Sequence, residues 1–124
     1  MLNKNVILKK KNLSSYSNYQ LEIQKRKEFG LSPKPIESSE LLNEIIEDIK
    51  RNGSNTREES LNHLIFNTLP GTTPAAKVKA EFLKDIILNL ENIEEISIDF
   101  AFELLSHMKG GASVRVLLDI AFSN

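Results

Sequence analysis

Two histidines, His63 and His107, are the residues of this sequence best suited to acid–base chemistry or metal binding. A general base needs a partner positioned by a third group, and a metal ion needs several ligands together. Neither histidine has another histidine three or four residues away, and the chain contains no cysteine. His63 follows Glu59 by four residues, so a helix would place its imidazole beside a carboxylate. We therefore expect structural roles for both histidines, and no catalytic residue, metal ligand or bound cofactor.

The acidic residues are numerous but follow one another closely, as Glu44, Glu47 and Asp48 do. Acid–base catalysis by two carboxyl groups needs two environments that separate their pKa values. Nothing in the spacing indicates an apolar pocket around any of these carboxyl groups, and charged side chains usually stay exposed. We therefore expect all of them to lie on solvated helix faces.

Gly110 and Gly111, followed by Ser113, are the nearest approach to a phosphate-binding loop. No strand precedes them, and they lack the longer glycine spacing that lets a backbone cradle a pyrophosphate. A helix stop is the simpler interpretation. Because glycine allows another backbone to come close, the corner formed by Lys109, Gly110 and Gly111 is a candidate contact site.

The second candidate contact site is the segment Pro33, Lys34 and Pro35. Its two prolines remove two backbone donors and favour an extended conformation. The segment is therefore predicted to be a rigid connector with partly unpaired backbone groups. Gly30, just before it, is placed to take the left-handed conformation that closes a helix.

Basic residues are concentrated at the start of the chain. Residues 1–35 contain eight basic and two acidic residues, whereas the remainder contains eight and fifteen. Runs such as Lys9–Lys11 and Lys25–Lys27 could bind nucleic acid by releasing counterions from phosphates. The neighbouring aromatic residues fall at helical spacing, however, and are expected to pack rather than stack on bases. A basic arm over residues 1–13, without regular structure, is favoured, and RNA binding through it stays an alternative.

A chain of 124 residues, of which 40% are hydrophobic and 27% charged, has the size and composition of one globular domain. No apolar run approaches the roughly 18 residues of a membrane span, and no signal-peptide pattern occurs. A soluble cytoplasmic protein without membrane contact is the expectation.

The apolar residues recur every three or four positions, which predicts an all-α fold. About six helices are expected, near residues 15–29, 38–53, 56–69, 75–90, 97–109 and 113–121. The short links favour antiparallel neighbours, either as a HEAT-like stack of helix pairs recurring about every forty residues or as a compact bundle. Residues 14–124 are then a single helical domain.

The helix starts carry their own signals. Ser38 or Ser39, Thr73 and Ser97 are expected to cap the helices that follow them, and Thr56 with Glu59 has the spacing of a capping box. The helix after Thr73 has apolar residues over more than half its circumference, which predicts a central helix packed on two sides.

Three stretches of this chain, GLSPKPI (30–36), KVKAEFL (77–83) and ELLSHMKGG (103–111), resemble in order and separation the amino-terminal domain of bacterial aconitase B. The similarity covers about Tyr19 to Ile120. It implies an all-α, HEAT-like domain that precedes the catalytic domains and serves protein–protein contact. In the family this domain is linked to dimerisation, to a passage toward the active site and to iron-dependent switching of messenger-RNA binding, while the iron–sulfur ligands lie in later domains.

The function expected from this resemblance is that of a non-catalytic helical interaction module, which forms a homodimer or docks a protein partner. The alternative is an accessory subunit that acts with separate aconitase catalytic domains. The start at Met1 favours a free-standing relative of the domain over an excised piece.

Overall fold

The protein, as a computed structural model, is described for residues 14–108 and 111–122. These residues contain no strand, only two isolated bridges. The predicted all-α fold with about six helices is confirmed. The helices are α1 (Ser15–Glu28), α2 (Ser39–Lys50), α3 (Arg57–Phe66), α4 (Pro74–Ile87), α5 (Ile98–His107) and α6 (Gly111–Ala121).

The chain divides into two compact units, Met1–Lys34 and Pro35–Asn124. The first contains α1, which Ser14 caps at its start. Gly30, two residues beyond Glu28, takes the predicted left-handed conformation, with a φ of 71°. The amide of Leu31 reaches back to the carbonyl oxygen of Arg26 at 2.9 Å, which closes the helix end. The predicted basic arm, residues 1–13, lies outside the described residues.

The second unit contains α2 to α6. Helix α2 contacts α3 and α4, and α4 contacts α5 and α6. The helices α2, α4 and α6 therefore contact one another in series, with α3 and α5 beside them, a pattern typical of stacked helix pairs. The central position predicted for α4 is confirmed. Its buried apolar residues are Ala75, Ala76, Ala80, Phe82, Leu83 and Ile86.

Hydroxyl groups cap three helices of this unit, as predicted. The side chains of Ser38, Thr73 and Ser97 each accept the amide hydrogen of the residue three positions later, at 3.2, 3.1 and 3.0 Å. Pro74 occupies the first position of α4, where its missing amide hydrogen costs nothing.

The capping box predicted for α3 is wrong. Thr56 makes no capping hydrogen bond, and its hydroxyl instead donates to Oδ2 of Asp48 at 2.7 Å. A hydroxyl can donate one hydrogen bond and accept another, so the orientation of the side chain decides: the charge-assisted bond to Asp48 holds the Thr56 hydroxyl where it accepts from no amide of the first turn. The start of α3 is therefore fixed by a tertiary contact.

Helix α3 also ends earlier than predicted, at Phe66 rather than near Leu69. The following residues pair with Ile36 instead. The amide of Ile36 donates to the carbonyl oxygen of Asn67, and the carbonyl oxygen of Ile36 accepts from the amide of Leu69, both at 2.8 Å. Ile36 itself is almost completely buried. Backbone pairing with a segment thirty residues away thus replaces the last turn of the helix.

Helix α4 ends at Ile87 because Asn89 takes a left-handed conformation, with a φ of 62°. The amide of Asn89 donates to Ile86 at 3.1 Å and that of Leu90 to Asp85 at 2.8 Å. This is the Schellman arrangement, in which asparagine can replace glycine.

Candidate functional site

The connector predicted as a contact site is partly tied down. Pro33 is half-buried, whereas Lys34 and Pro35 are exposed. The carbonyl oxygen of Lys34 accepts a hydrogen bond from the hydroxyl of Tyr19 at 2.5 Å, and that of Ser32 accepts one from Arg26 Nε at 2.7 Å. The carbonyl oxygens of Ser32 and Lys34 are therefore less available to a partner than the two prolines of the connector suggest.

The second predicted contact site is described only in part. Gly111 is the first residue of α6, whereas Lys109 and Gly110 lie outside the described residues. The helix begins two residues before Ser113, which was expected to start it. Ser113 is buried, and its hydroxyl donates to the carbonyl oxygen of Met108 at 3.2 Å, so it ties the corner between α5 and α6 together.

Sequence reasoning missed a second apolar face on α6. Ser113 and Val116 are buried against the core, but Val114, Leu118 and Phe122 are 56%, 53% and 84% exposed. Their spacing of four residues places Val114 and Leu118 in one stripe on the other side of the helix. Phe122, the first residue beyond α6, continues the stripe, because its amide still donates to the carbonyl oxygen of Leu118 at 3.1 Å. We call this stripe the outer face of α6. The signal in the sequence was an excess of apolar residues over what one helix face can hold.

Helix α5 is also incompletely covered. Ile98 and Phe102, one turn apart, are 48% and 43% exposed. Exposed apolar residues on two helices that contact each other are typical of a surface that contacts another protein.

Charged residues border the outer face of α6. Arg115 and Asp119 are exposed and lie four residues apart on the same helix. They also line a cleft of about 800 Å³ together with the cap residue Thr73 and with Lys77 and Glu81 of α4.

The chemistry of this cleft is limited. The amide of Ala75 donates to the oxygen of Glu37 at 3.0 Å and that of Ala76 to Thr73 Oγ1, so the first amides of α4 are already engaged. Glu81 forms an ion pair with Lys84 at 3.1 Å. The arrangement therefore resembles neither an anion-binding helix start nor a pair of catalytic carboxyl groups.

Asp48 contradicts the expectation that the carboxylates of α2 are solvated, because it is only 6% exposed. It accepts hydrogen bonds from the hydroxyl groups of Ser54, Thr56 and Ser60 at 2.6, 2.7 and 2.5 Å. Burial alone would raise the pKa of Asp48, but these bonds and the nearby Arg51 outweigh it and hold the pKa below its usual value. The cluster joins α2 to α3 and is structural.

Lys79 is the second buried charged residue with a clear role. Its amine donates to the carbonyl oxygen of Ile65 at 3.1 Å, in the last turn of α3. Burial lowers the pKa of Lys79. The cation satisfies a carbonyl that the end of α3 leaves unpaired, so it too serves the fold.

The two histidines have ordinary partners. His63 is buried, and its Nε2 lies 3.3 Å from Oε1 of Glu59, which confirms the predicted contact. His107 is exposed, with Nδ1 2.8 Å from the oxygen of Glu103. Over residues 14–108 and 111–122, no group of three or more histidine or acidic residues is placed to hold a metal ion. In the same part of the chain, no helix has the length and apolarity to cross a membrane.

Known proteins resemble most of this chain. The sequence model of the aconitate B N-terminal domain matches residues 18–124. Aconitate hydratase B of Escherichia coli is 30% identical over 102 residues, which are 82% of this chain and 12% of the relative. Aconitate hydratase B of Salmonella typhimurium is 31% identical over 101 residues, with the same two shares. The chain thus spans about an eighth of the length of these curated relatives, and it belongs to the aconitate B N-terminal domain family.

Proposed function

We propose that this chain is a non-catalytic interaction module of the cytoplasm, and that it associates with a second copy of itself through the outer face of α6. The observation that carries the proposal is the second apolar face of that helix, where Val114, Leu118 and Phe122 are more than half exposed. Each gains roughly 1–2 kcal/mol when the rest of its surface is buried.

The charges beside the stripe favour a second copy as the partner. Arg115 and Asp119 lie four residues apart on one side of it. When two α6 helices pack antiparallel about a twofold axis, Arg115 of one copy lies opposite Asp119 of the other, and the contact repeats by symmetry. An isologous contact of this kind uses one surface twice.

The expected association is weak. Two stripes of three side chains contribute about 6–12 kcal/mol in total, and association costs about 4–15 kcal/mol in lost translational and rotational freedom. Ile98 and Phe102 on α5 supply further exposed apolar surface near the end of the same unit. The most favourable combination of these figures, about 8 kcal/mol, corresponds to a dissociation constant of about 1 μM, so we expect micromolar or weaker association.

Sedimentation equilibrium of the full chain over a wide range of concentration tests the proposal. The average mass should rise with concentration for the unchanged protein and stay at the monomer value for Leu118→Glu. Leu90→Glu is the matched control, because Leu90 is 69% exposed but lies beyond the end of α4. A protein that stays monomeric at the highest concentration, or two variants that behave alike, would contradict the proposal.

The family match favours a second candidate function. The relatives are whole aconitate hydratases, of which this region is a small part. The chain would then be an accessory domain that acts with separate aconitase catalytic domains. Adding the full chain to the remaining polypeptide of such an enzyme tests this idea, and unchanged turnover of substrate together with no complex by gel filtration would exclude it.

A further inference from the structure

The turn between α2 and α3 contains the single Asn-Gly pair of the sequence, Asn52-Gly53. Both residues are exposed, and Gly53 has a left-handed φ of 82°. A Cβ built on Gly53 would meet no atom within 4 Å, so the space where a side chain would stand is open. The pair lines an open cleft of about 510 Å³ with Arg57, Asn92 and Glu94.

The amide of Gly53 is also not held by a hydrogen bond. In the described part of the chain, the neighbouring turn bonds run from Arg51 to Asp48 and from Ser54 to Arg51, and none uses the Gly53 amide. No hydrogen bond therefore holds the Gly53 nitrogen away from the side-chain carbonyl carbon of Asn52. Glycine, without a Cβ, also offers the least steric obstruction to such an attack.

We propose that Asn52-Gly53 is a site of spontaneous deamidation, which converts Asn52 to aspartate and isoaspartate. Water or hydroxide first removes the proton of the Gly53 amide. The nitrogen then attacks the side-chain carbonyl carbon of Asn52: the new N–Cγ bond closes a five-membered succinimide, the Cγ–Nδ2 bond breaks, and ammonia leaves with the proton it needs.

Water then opens the ring, and it is the only co-reactant. Attack at the side-chain carbonyl breaks the new bond and yields aspartate. Attack at the backbone carbonyl breaks the original peptide bond and yields isoaspartate, in which the chain runs through the former side chain. No oxidant or metal takes part in either step.

The surroundings of the pair are altered by the product. Arg57 lines the same cleft, and its guanidinium donates to both carboxylate oxygens of Glu95 and to the carbonyl oxygen of Ile49. In the unmodified protein, Nη2 of Arg57 donates to Glu95 at 2.8 Å. After the reaction, the new carboxylate at residue 52 shares the cleft with Glu94 and competes with Glu95 for Arg57. An isoaspartate also lengthens the backbone at residue 52, two residues before Ser54, whose hydroxyl is bonded to Asp48.

Peptide mass spectrometry of the full folded chain, incubated at mildly alkaline pH, tests the proposal. Residue 52 should gain one mass unit at least roughly ten times faster than Asn92, which lines the same cleft but precedes an isoleucine. The modified peptide should appear as two species of equal mass, aspartate and isoaspartate. Hydroxylamine, which opens succinimides, should cut the chain between residues 52 and 53.

Two variants keep the result interpretable. In Asn52→Gln the cyclic intermediate would have six members instead of five, so the substitution should abolish the fast reaction. Circular dichroism checks that the helices of this variant are intact. Asn92→Gln should leave the fast reaction unchanged. If residue 52 gains mass no faster than Asn92, or if hydroxylamine does not cut there, the proposal is wrong.

Discussion

At the scale of single residues, the Asp48 cluster shows how one buried carboxylate can hold two helices together. Three hydroxyl groups from the following loop and from α3 donate to it. Hydrogen bonds to a charged acceptor are worth about 1.5–3 kcal/mol each in favourable cases, but desolvation of the carboxylate opposes them. The net effect on the pKa of Asp48 is a decrease, so the charged form is the one that the fold favours.

Replacing Asp48 with asparagine should lower the free energy of unfolding by about 1–3 kcal/mol at neutral pH. The amide keeps the size of the side chain but loses the charge and one acceptor oxygen. Urea denaturation followed by circular dichroism measures the difference. Glu47→Gln is the matched control, because its side chain is 68% exposed and its contact with Lys50 is long, at 3.8 Å.

The effect of Asp48→Asn should also depend on pH. Because the pKa of Asp48 is lower in the folded than in the unfolded state, its contribution is present in full above the unfolded value of about 3.9. As the pH falls through the folded value, the contribution is lost. The difference between the two proteins should therefore shrink below a pH of about 4, and a difference that stays constant would show that the charge is not responsible.

At the scale of elements, α4 carries most of the packing in the second unit. It contacts α2, α5 and α6, and its Leu83 is fully buried. Small helices of this length are marginal alone in water, so their stability comes from such contacts.

Leu83→Ala should therefore cost about 2–5 kcal/mol of unfolding free energy. Leu90→Ala removes the same atoms from a residue just beyond α4 that is 69% exposed, and its effect should stay within about 0.5 kcal/mol. The midpoints of urea denaturation, compared at an unchanged slope, measure the loss of unfolding free energy in both variants. Equal losses for the two variants would contradict the central position of α4.

At the scale of the whole molecule, association and stability are linked. If two copies bind through the outer face of α6 only when folded, dimerisation adds stability that grows with protein concentration. Raising the concentration about a hundredfold should raise the Tm by about 2–6 °C. Leu118→Glu should remove this dependence, whereas a Tm that is independent of concentration in the unchanged chain would argue against a folded dimer.

The sequence alone determined the local features of this protein. Ser38, Thr73 and Ser97 cap their helices as expected, and Gly30 closes α1, because each of these interactions joins residues close together in the chain. Helical periodicity likewise predicted the number of helices and the central position of α4. The three short stretches that resemble aconitase B pointed to the family, and the match over residues 18–124 agrees with them.

Only the tertiary structure decided the features that depend on distant residues. Ile36 ends α3 early, the carboxylate of Asp48 takes the hydroxyl of Thr56 away from its expected cap, and Val114 and Leu118 face outward although their residue types suit a core. The physical reason is the same in each case. A helix cap needs only a neighbour three residues away, whereas burial and backbone pairing depend on which segments the packing of the helices brings together.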